Sequence, residues 1–113
     1  MGKMSRDKGK VGEREVAELL RDHGFAGARG VQYRGGPDSP DVVGLPGYHI
    51  EVKRVESFNL YNAFAQAAVE KPDDVTPVVF HRKNGKPWVA VVLADHFLHM
   101  VARLNGTPPT EIA

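Results

Sequence analysis

The stretch of sequence that decides the fold is Pro40-Asp41-Val42-Val43-Gly44, followed after a short gap by Ile50-Glu51-Val52-Lys53. Both are apolar runs that contain charged residues, and Leu45-Pro46-Gly47 between them has the composition of a turn, so the two runs are predicted to form a β-hairpin. Because residues i and i+2 of a strand point to the same face, Glu51 and Lys53 project together, opposite the apolar side chains that face the core. The hairpin is expected to bring Asp41 beside Glu51.

This predicted cluster of two carboxylates and one ammonium suits the hydrolysis of a phosphodiester. Two carboxylates packed together repel each other unless one is protonated or a cation lies between them. Mg²⁺ prefers oxygen ligands and needs only one or two protein carboxylates, so Asp41 and Glu51 are the predicted ligands, with the backbone carbonyl of Val52 as a third. Lys53 is expected to stabilise the developing negative charge or to orient the attacking water. Mn²⁺ is expected to substitute for Mg²⁺.

A third carboxylate is predicted to join the cluster from a helix over residues 9–23. Its apolar stripe contains Val16, Ala17 and Leu20, and Gly24 is a suitable terminator. Glu13 precedes these apolar positions by three, four and seven residues, so it lies on the buried side of the first turn. There it could bind a second ion or a metal-bound water, while Arg14 turns toward the flank.

The rest of the chain is predicted to complete one α/β domain with a mixed central sheet. The element order is α-β-β-β-α-β-β-α. Residues 1–8 are expected to form a flexible basic arm, residues 9–104 the domain, and residues 105–113 a loose tail. The elements after the first helix are predicted as strands over 30–34, 41–44 and 48–55, a helix over 59–71, strands over 77–81 and 88–93, and a helix over 94–104.

The composition excludes several classes of protein. A chain of 113 residues is long enough for one domain. No apolar run approaches the roughly 20 residues of a membrane span, and no signal peptide is visible, so a cytoplasmic protein without a membrane partner is expected. There is no cysteine, and hence no disulfide or cysteine-ligated zinc. Without a Walker loop or a dinucleotide-type glycine fingerprint, no nucleotide cofactor is expected.

The charge distribution indicates a polyanionic partner. The net charge is only +1, but basic residues crowd the N-terminus and flank the acidic cluster. The alternative for the N-terminal charges is a solvated tail. Among the five histidines, His49 shares a face with Glu51 and either lines the site or is a surface residue. A zinc site at His96 and His99 is a weaker alternative, because no acidic cluster lies near them in sequence.

Three separated motifs resemble a known family. Lys8-Gly9, then Glu13-Arg14-Glu15-Val16, Leu19-Leu20 and His23-Gly24-Phe25, resemble the opening of archaeal-type (Hjc-like) Holliday junction resolvases. The hairpin segments fall where that family carries its PD-(D/E)xK nuclease motif. The resemblance covers roughly residues 8 to 92, and the loop over 33–47 also looks like small phage endonucleases of this group. It implies a restriction-endonuclease-like fold, in which helices flank a mixed sheet.

The resemblance also implies roles for individual residues. Glu13, Asp41, Glu51 and Lys53 would form the active site, and Arg14 would contact the substrate near the scissile phosphate. Family members are magnesium-dependent homodimers that make paired nicks in four-way DNA junctions, which suits the two-fold symmetry of that substrate. A phage or prophage gene acting in a bacterial host cell is the expected source.

DNA contacts are expected to be mostly to phosphates, because resolution of a junction reads branch shape rather than base sequence. Gln66, on the polar face of the second predicted helix, would either reach the active site or face solvent. Two apolar patches are candidate dimer surfaces: Tyr61, Ala65 and Val69, or Phe97, Leu98 and Val101. The predicted phosphate contacts are Lys3, Arg6, Lys8, Lys10, Arg14, Arg34 and Arg54.

Several alternatives remain open at the level of sequence. Another nuclease of the same superfamily, such as a restriction-like, repair, flap or single-strand endonuclease, would carry the same motif. A non-catalytic DNA-binding protein is less consistent with the sequence, because a binder of phosphates gains nothing from Asp41 and Glu51 near the DNA backbone. On spacing alone, a salt-bridged strand pair on a solvated sheet face also fits.

Overall fold

The structure, a computed structural model, describes residues 3–30, 40–71 and 74–106, with the backbone alone described for residues 3–8 and 70. Within these residues, three helices and five strands follow one another in the predicted order α-β-β-β-α-β-β-α. Their bounds are α1 Lys3–Asp22, β1 Ala28–Arg29, β2 Val42–Val43, β3 Tyr48–Arg54, α2 Leu60–Glu70, β4 Thr76–Arg82, β5 Val89–Val91 and α3 Ala94–Leu104.

The five strands form one mixed sheet in the order β1-β2-β3-β4-β5. β3 and β4 are parallel and pair along their whole length, from Tyr48 opposite Thr76 to Arg54 opposite Arg82. The other neighbours are antiparallel, and Val42 of β2 pairs with Ile50 of β3. β3 is therefore the central strand, and α2 is the crossover that a parallel connection requires.

Each face of the sheet is covered by a helix, and period-2 alternation along β3 separates the two cores. On one face, Val16 and Leu20 of α1 pack on Val42 and Ile50. On the other face, Ala63, Phe64 and Ala67 of α2 pack on Val79 of β4. Residues 49, 51 and 53 of β3 alternate with Ile50 and therefore belong to the α2 face. The predicted α/β sandwich with a mixed central sheet is confirmed.

Local signals in the sequence explain most element ends. Asn59 caps α2, because its side-chain oxygen accepts a hydrogen bond from the Asn62 amide at 3.0 Å. Gly24 follows the end of α1 with a φ of +90°, the left-handed conformation that favours glycine at a helix C-terminus. The predicted hairpin of β2 and β3 is present, with its turn between Gly44 and Gly47.

Two predicted elements differ from the structure. α1 begins at Lys3 rather than at residue 9, so the backbone of residues 3–8 is helical. Intrinsic helix propensity explains this extension, since lysine, arginine and methionine in this segment are good helix formers. The first strand lies at Ala28–Arg29, whereas most of the predicted strand over 30–34 and the tail from residue 107 lie outside the described residues.

α1 lies close to the central strand because a glycine sits at their contact. A Cβ atom on Gly12 would be 2.7 Å from the Arg54 Cβ and 3.3 Å from the Val52 Cγ1. Both distances are shorter than ordinary carbon contacts, so only glycine permits this approach. Gly12 thereby sets the distance between β3 and the next residue of α1, Glu13.

No helix in the described ranges 3–30, 40–71 and 74–106 is long and apolar enough to cross a membrane.

Candidate active site

Asp41 is fixed at the entrance to β2 by three hydrogen bonds. Its amide donates to the Ile50 carbonyl at 2.9 Å, and its carbonyl accepts from the Gly30 amide at 2.9 Å. The Val52 amide donates to the Asp41 carboxylate oxygen Oδ2 at 2.8 Å. Asp41 is thus held against the backbone of residues 50 and 52 of β3.

The contact from the Val52 amide also orients the Val52 carbonyl. In a strand, the N–H and C=O groups of one residue point toward the same neighbouring strand, which is why paired residues exchange both hydrogen bonds. Because the Val52 N–H points toward Asp41, the Val52 carbonyl faces the same side of β3. The two predicted oxygen donors, the Asp41 carboxylate and the Val52 carbonyl, therefore lie on the same side of β3.

Glu51 occupies the middle of the central strand and is almost fully buried, with 5% of the residue exposed. Its Oε1 lies 2.9 Å from the Nε2 of His49, which is also buried on the same face of β3. Burial of a carboxylate is costly unless hydrogen-bond donors accompany it, and His49 is one such partner. His49 thus lines the site; the alternative of a surface histidine is wrong.

Glu13 approaches the cluster from α1 and is paired with Arg29 of β1. The Arg29 Nε donates to the Glu13 Oε1 at 3.0 Å. Burial raises the pKa of Glu13 above its ordinary value; the Arg29 hydrogen bond opposes this shift, and the nearby negative charge of Asp41 adds to it. Asp41 is thus close enough to Glu13 to influence its pKa.

Arg29 was absent from the predicted site residues. Its sequence neighbours are a glycine and an alanine, and no periodic pattern marks it. The pairing of Arg29 with Val42 across β1 and β2 puts its side chain on the α1 face of the sheet, where Glu13 lies. The only sequence signal was its membership of the basic residues that flank the acidic cluster.

Lys53 and Gln66 line one surface cavity of about 270 Å³ between the end of β3 and α2. Asn62, one helical turn before Gln66, lines the same cavity. The Phe58 ring, which also borders it, stacks on His81 with ring centres 4.0 Å apart. Gln66 therefore borders the same cavity as Lys53 and is also exposed to solvent.

Arg54, a predicted phosphate contact, is instead directed into a network of side chains. Only 12% of its side chain is exposed. Its Nη1 donates to the Asn84 Oδ1 at 2.7 Å, and its Nε lies 3.8 Å from the Glu15 Oε1. A side chain that is buried and paired in this way is poorly placed to bind a phosphate, so the prediction for Arg54 is corrected to a structural role.

The other predicted DNA contacts lie mainly on α1. Lys10 and Arg14 are exposed there, and Lys10 is close enough to Glu13 to influence its pKa. Lys3, Arg6 and Lys8 belong to the same helix, but only their backbone is described. Arg34 lies outside the described residues.

The residues at this edge of the sheet fit one divalent cation held largely by water. Within the described ranges, no three histidine or acidic side chains are grouped closely enough to hold a metal ion by themselves. Asp41, Glu51 and the Val52 carbonyl would supply the few protein oxygens that Mg²⁺ requires.

The alternative of a zinc site on α3 finds no support. The His96 ring packs edge-on against Tyr48 with ring centres 5.2 Å apart, and its Nε2 is hydrogen-bonded to the Tyr48 hydroxyl. The same hydroxyl donates to the Met100 sulfur at 3.4 Å. His96 therefore anchors α3 to the start of β3.

Comparison with known proteins identifies a family. A sequence profile of the archaeal Holliday junction resolvases (Hjc) matches residues 4–105. No significant match was found among curated proteins. The 1.6 Å structure of Hjc from Archaeoglobus fulgidus, a Holliday junction resolvase from an archaeal hyperthermophile, is similar with a TM-score of 0.58 and 20% sequence identity, over 89% of this chain and 98% of that chain. This likeness confirms the fold. Because the family profile spans nearly the whole sequence, the chain belongs to the archaeal Holliday junction resolvase family, whose members are nucleases that cleave DNA junctions.

Proposed function

We propose that this protein is a magnesium-dependent endonuclease that resolves four-way DNA junctions by paired nicks. The observation that carries the proposal is the hydrogen bond from the Val52 amide to Asp41, which holds one acid of the nuclease motif against the strand that bears Glu51 and Lys53. Members of the family generally depend on a divalent metal ion. Mg²⁺ is the ion proposed here, with Mn²⁺ as a substitute, because the oxygen donors at this site are few and hard.

The proposed roles follow from the position of each side chain. Asp41, Glu51 and the Val52 carbonyl would hold the ion, which when bound supplies an activated water and neutralises charge on the phosphoryl oxygens. Lys53 follows Glu51 on the same face of β3 and would stabilise the negative charge that develops on the phosphate. Glu13, held by Arg29, would accept a hydrogen bond from a water near the ion.

DNA would be bound chiefly through its phosphates. The exposed Lys10 and Arg14 lie on α1 beside Glu13, on the approach to the acidic cluster. Gln66 and Asn62 border the cavity next to Lys53 and would contact the strand that continues past the scissile phosphate. These contacts carry little sequence information, as expected for a protein that recognises branch shape.

A homodimer is proposed, because paired nicks need two active sites. Tyr61 and Val69 of α2 are 83% and 84% exposed, which is unusual for large apolar side chains. A groove of about 510 Å³ runs between α2 and the segment that joins β5 to α3, and Tyr61 and Leu93 line it. Phe97 and Leu98 continue the apolar surface onto α3. The α2 patch is the proposed interface, and the α3 patch is the alternative.

The proposed function is tested by cleavage of a labelled mobile four-way junction with and without Mg²⁺. Two symmetric nicks that appear only with the metal are expected. Linear duplex, flap and single-stranded substrates of the same sequence are run in parallel. Preference for a flap or for single strands would replace the proposal with another nuclease of the superfamily. Junction binding without any metal-dependent nick would indicate a non-catalytic binding protein.

A further inference from the structure

His49 and Glu51 form a pair that is removed from solvent inside the central strand. His49 is 2% exposed and Glu51 5%, and their Nε2 and Oε1 atoms are 2.9 Å apart. The two residues are separated by one position on β3 and share its α2 face, which is otherwise covered by apolar side chains such as Phe64 and Ala67. A buried imidazole is costly in such surroundings unless it makes hydrogen bonds. The hydrogen bond to Glu51 is therefore the feature of the buried His49 imidazole to be explained.

The geometry of the pair supplies that explanation. An N–H group on Nε2 donates to the Glu51 Oε1, which restricts rotation of the Glu51 side chain. Carboxylates that hold metal ions are commonly held by hydrogen bonds of this kind, and loss of the partner lowers metal affinity. The strand fixes the backbone of both residues, since β3 is paired on both sides in the sheet.

We propose that His49 is a positioning residue that orients Glu51 for metal binding through its Nε2–H group. The inference rests on the proposed function, because it requires Glu51 to be a ligand. His49 itself touches neither the substrate nor the ion in this proposal. Its contribution is to hold the Glu51 carboxylate in the orientation for metal binding before the ion binds.

Two amide substitutions separate positioning from a role in filling space. A glutamine amide nitrogen can occupy the place of Nε2 and donate to Glu51, whereas the shorter asparagine places its amide nearer the backbone, at the place of Nδ1. Both variants keep a polar side chain and reduce the buried volume. His49→Gln is therefore expected to retain the metal site, and His49→Asn to damage it.

The test measures Mn²⁺ binding to the whole protein without DNA, by the loss of the free-ion signal in electron paramagnetic resonance. His49→Asn is expected to bind Mn²⁺ about 10- to 100-fold more weakly than the wild type, with His49→Gln within about threefold of it. His99→Asn, at an exposed histidine of α3, is the matched control and should bind as the wild type does. Equal Mn²⁺ affinity in His49→Asn and the wild type would overturn the proposal.

A measurement on the unaltered protein covers the case in which a variant does not fold. Long-range nitrogen–proton correlation spectra of the wild type should show a proton on His49 Nε2, and an unprotonated Nε2 would contradict the proposal. Failure of the proposed function is distinguishable, because a wild type that binds no Mn²⁺ would overturn both proposals. A wild type that binds Mn²⁺ but is matched by His49→Asn overturns only the role of His49.

Discussion

Arg29 of β1 donates a hydrogen bond from its Nε to the Oε1 of Glu13 on α1, at 3.0 Å. This contact joins the helix to the sheet at the acidic end of the site. It also opposes the effect of burial on the Glu13 pKa, which nevertheless remains raised because desolvation is the largest influence and Asp41 adds a second negative charge. The ionised form of Glu13 is therefore under strain in the folded protein, chiefly because of burial.

That strain predicts a stability gain in Glu13→Gln. An acid with a raised pKa in the folded state stabilises the fold only while it is protonated, so this contribution is lost as the pH rises above 4.5 through the folded-state pKa. At pH 8 the wild type carries the cost of an ionised Glu13, and Glu13→Gln does not. The variant should melt at a higher temperature at pH 8 without metal, and the difference should shrink toward pH 4.5. A lower melting temperature than the wild type at pH 8 would contradict this assignment.

Removal of any one member of the motif is predicted to abolish cleavage and spare binding. Asp41→Asn, Glu51→Gln and Lys53→Ala should each lower the rate of junction cleavage by at least about 100-fold, since each removes a ligand or a charge that acts on the reacting phosphate. Gel-shift affinity for the junction in Ca²⁺ should stay near that of the wild type. Glu18→Gln, on the exposed side of α1, is the control. Wild-type cleavage by any of the three motif variants would show that its assigned role is wrong.

Gly12→Ala is predicted to destabilise the protein even though alanine favours helices. The new methyl group would meet the Arg54 Cβ at 2.7 Å, and overpacking of this kind costs about 1–3 kcal/mol. Gly9→Ala in the same helix is the matched control, because nothing lies within 4 Å of its added Cβ. That variant should gain about 0.5–1 kcal/mol from helix propensity. Urea denaturation measures both changes, and a stabilised Gly12→Ala would refute the close contact.

Glu15→Ala is predicted to loosen α1 from the far end of the sheet. The Glu15 Oε1 accepts hydrogen bonds from the Arg82 Nη1 at 2.8 Å and from the Trp88 Nε1 at 3.0 Å. Loss of an acceptor shared by two partly buried donors costs about 1–3 kcal/mol. Chemical denaturation should show this loss, whereas Glu18→Ala, one helical turn further along α1, should change stability by less than about 0.5 kcal/mol. Equal losses of stability in Glu15→Ala and Glu18→Ala would show that the hydrogen bonds of Glu15 to Arg82 and Trp88 do not stabilise the fold.

Val69→Glu is predicted to convert the proposed dimer to a monomer. A charge placed on the exposed α2 patch would have to be buried without a partner at the proposed interface. Sedimentation should then report the monomer mass, and junctions should be nicked singly rather than in pairs. Leu98→Glu tests the α3 patch in the same assay. A dimer that survives Val69→Glu but not Leu98→Glu would move the interface to α3.

Local sequence patterns predicted most of the fold, because strand alternation and helical periodicity depend only on residues that are near one another in the chain. Alternation of apolar residues predicted β3, and the helical stripe predicted the buried face of α1. The bounds of α3 agree with the prediction at both ends. Within the described residues, α1 begins earlier than predicted, and a strand that was not predicted lies at Ala28–Arg29.

The clustering of the nuclease motif is likewise a prediction from the sequence. The spacing of Asp41, Glu51 and Lys53 follows from strand alternation and a short hairpin, and the helical phase of Glu13 follows from the apolar stripe of α1. These relations depend only on backbone geometry. They therefore hold wherever α1 packs on β3, whatever the neighbouring side chains are.

The partners of the charged side chains were decided by the tertiary structure. Arg29 meets Glu13, and Arg54 is buried beside Glu15, only because α1 lies across particular strands at a distance that Gly12 permits. The burial of His49 requires α2 to cover that face of β3. Sequence periodicity specifies which face a side chain takes, but the residue that it meets there depends on how separate elements pack, and an ion pair forms only where that packing brings opposite charges into contact.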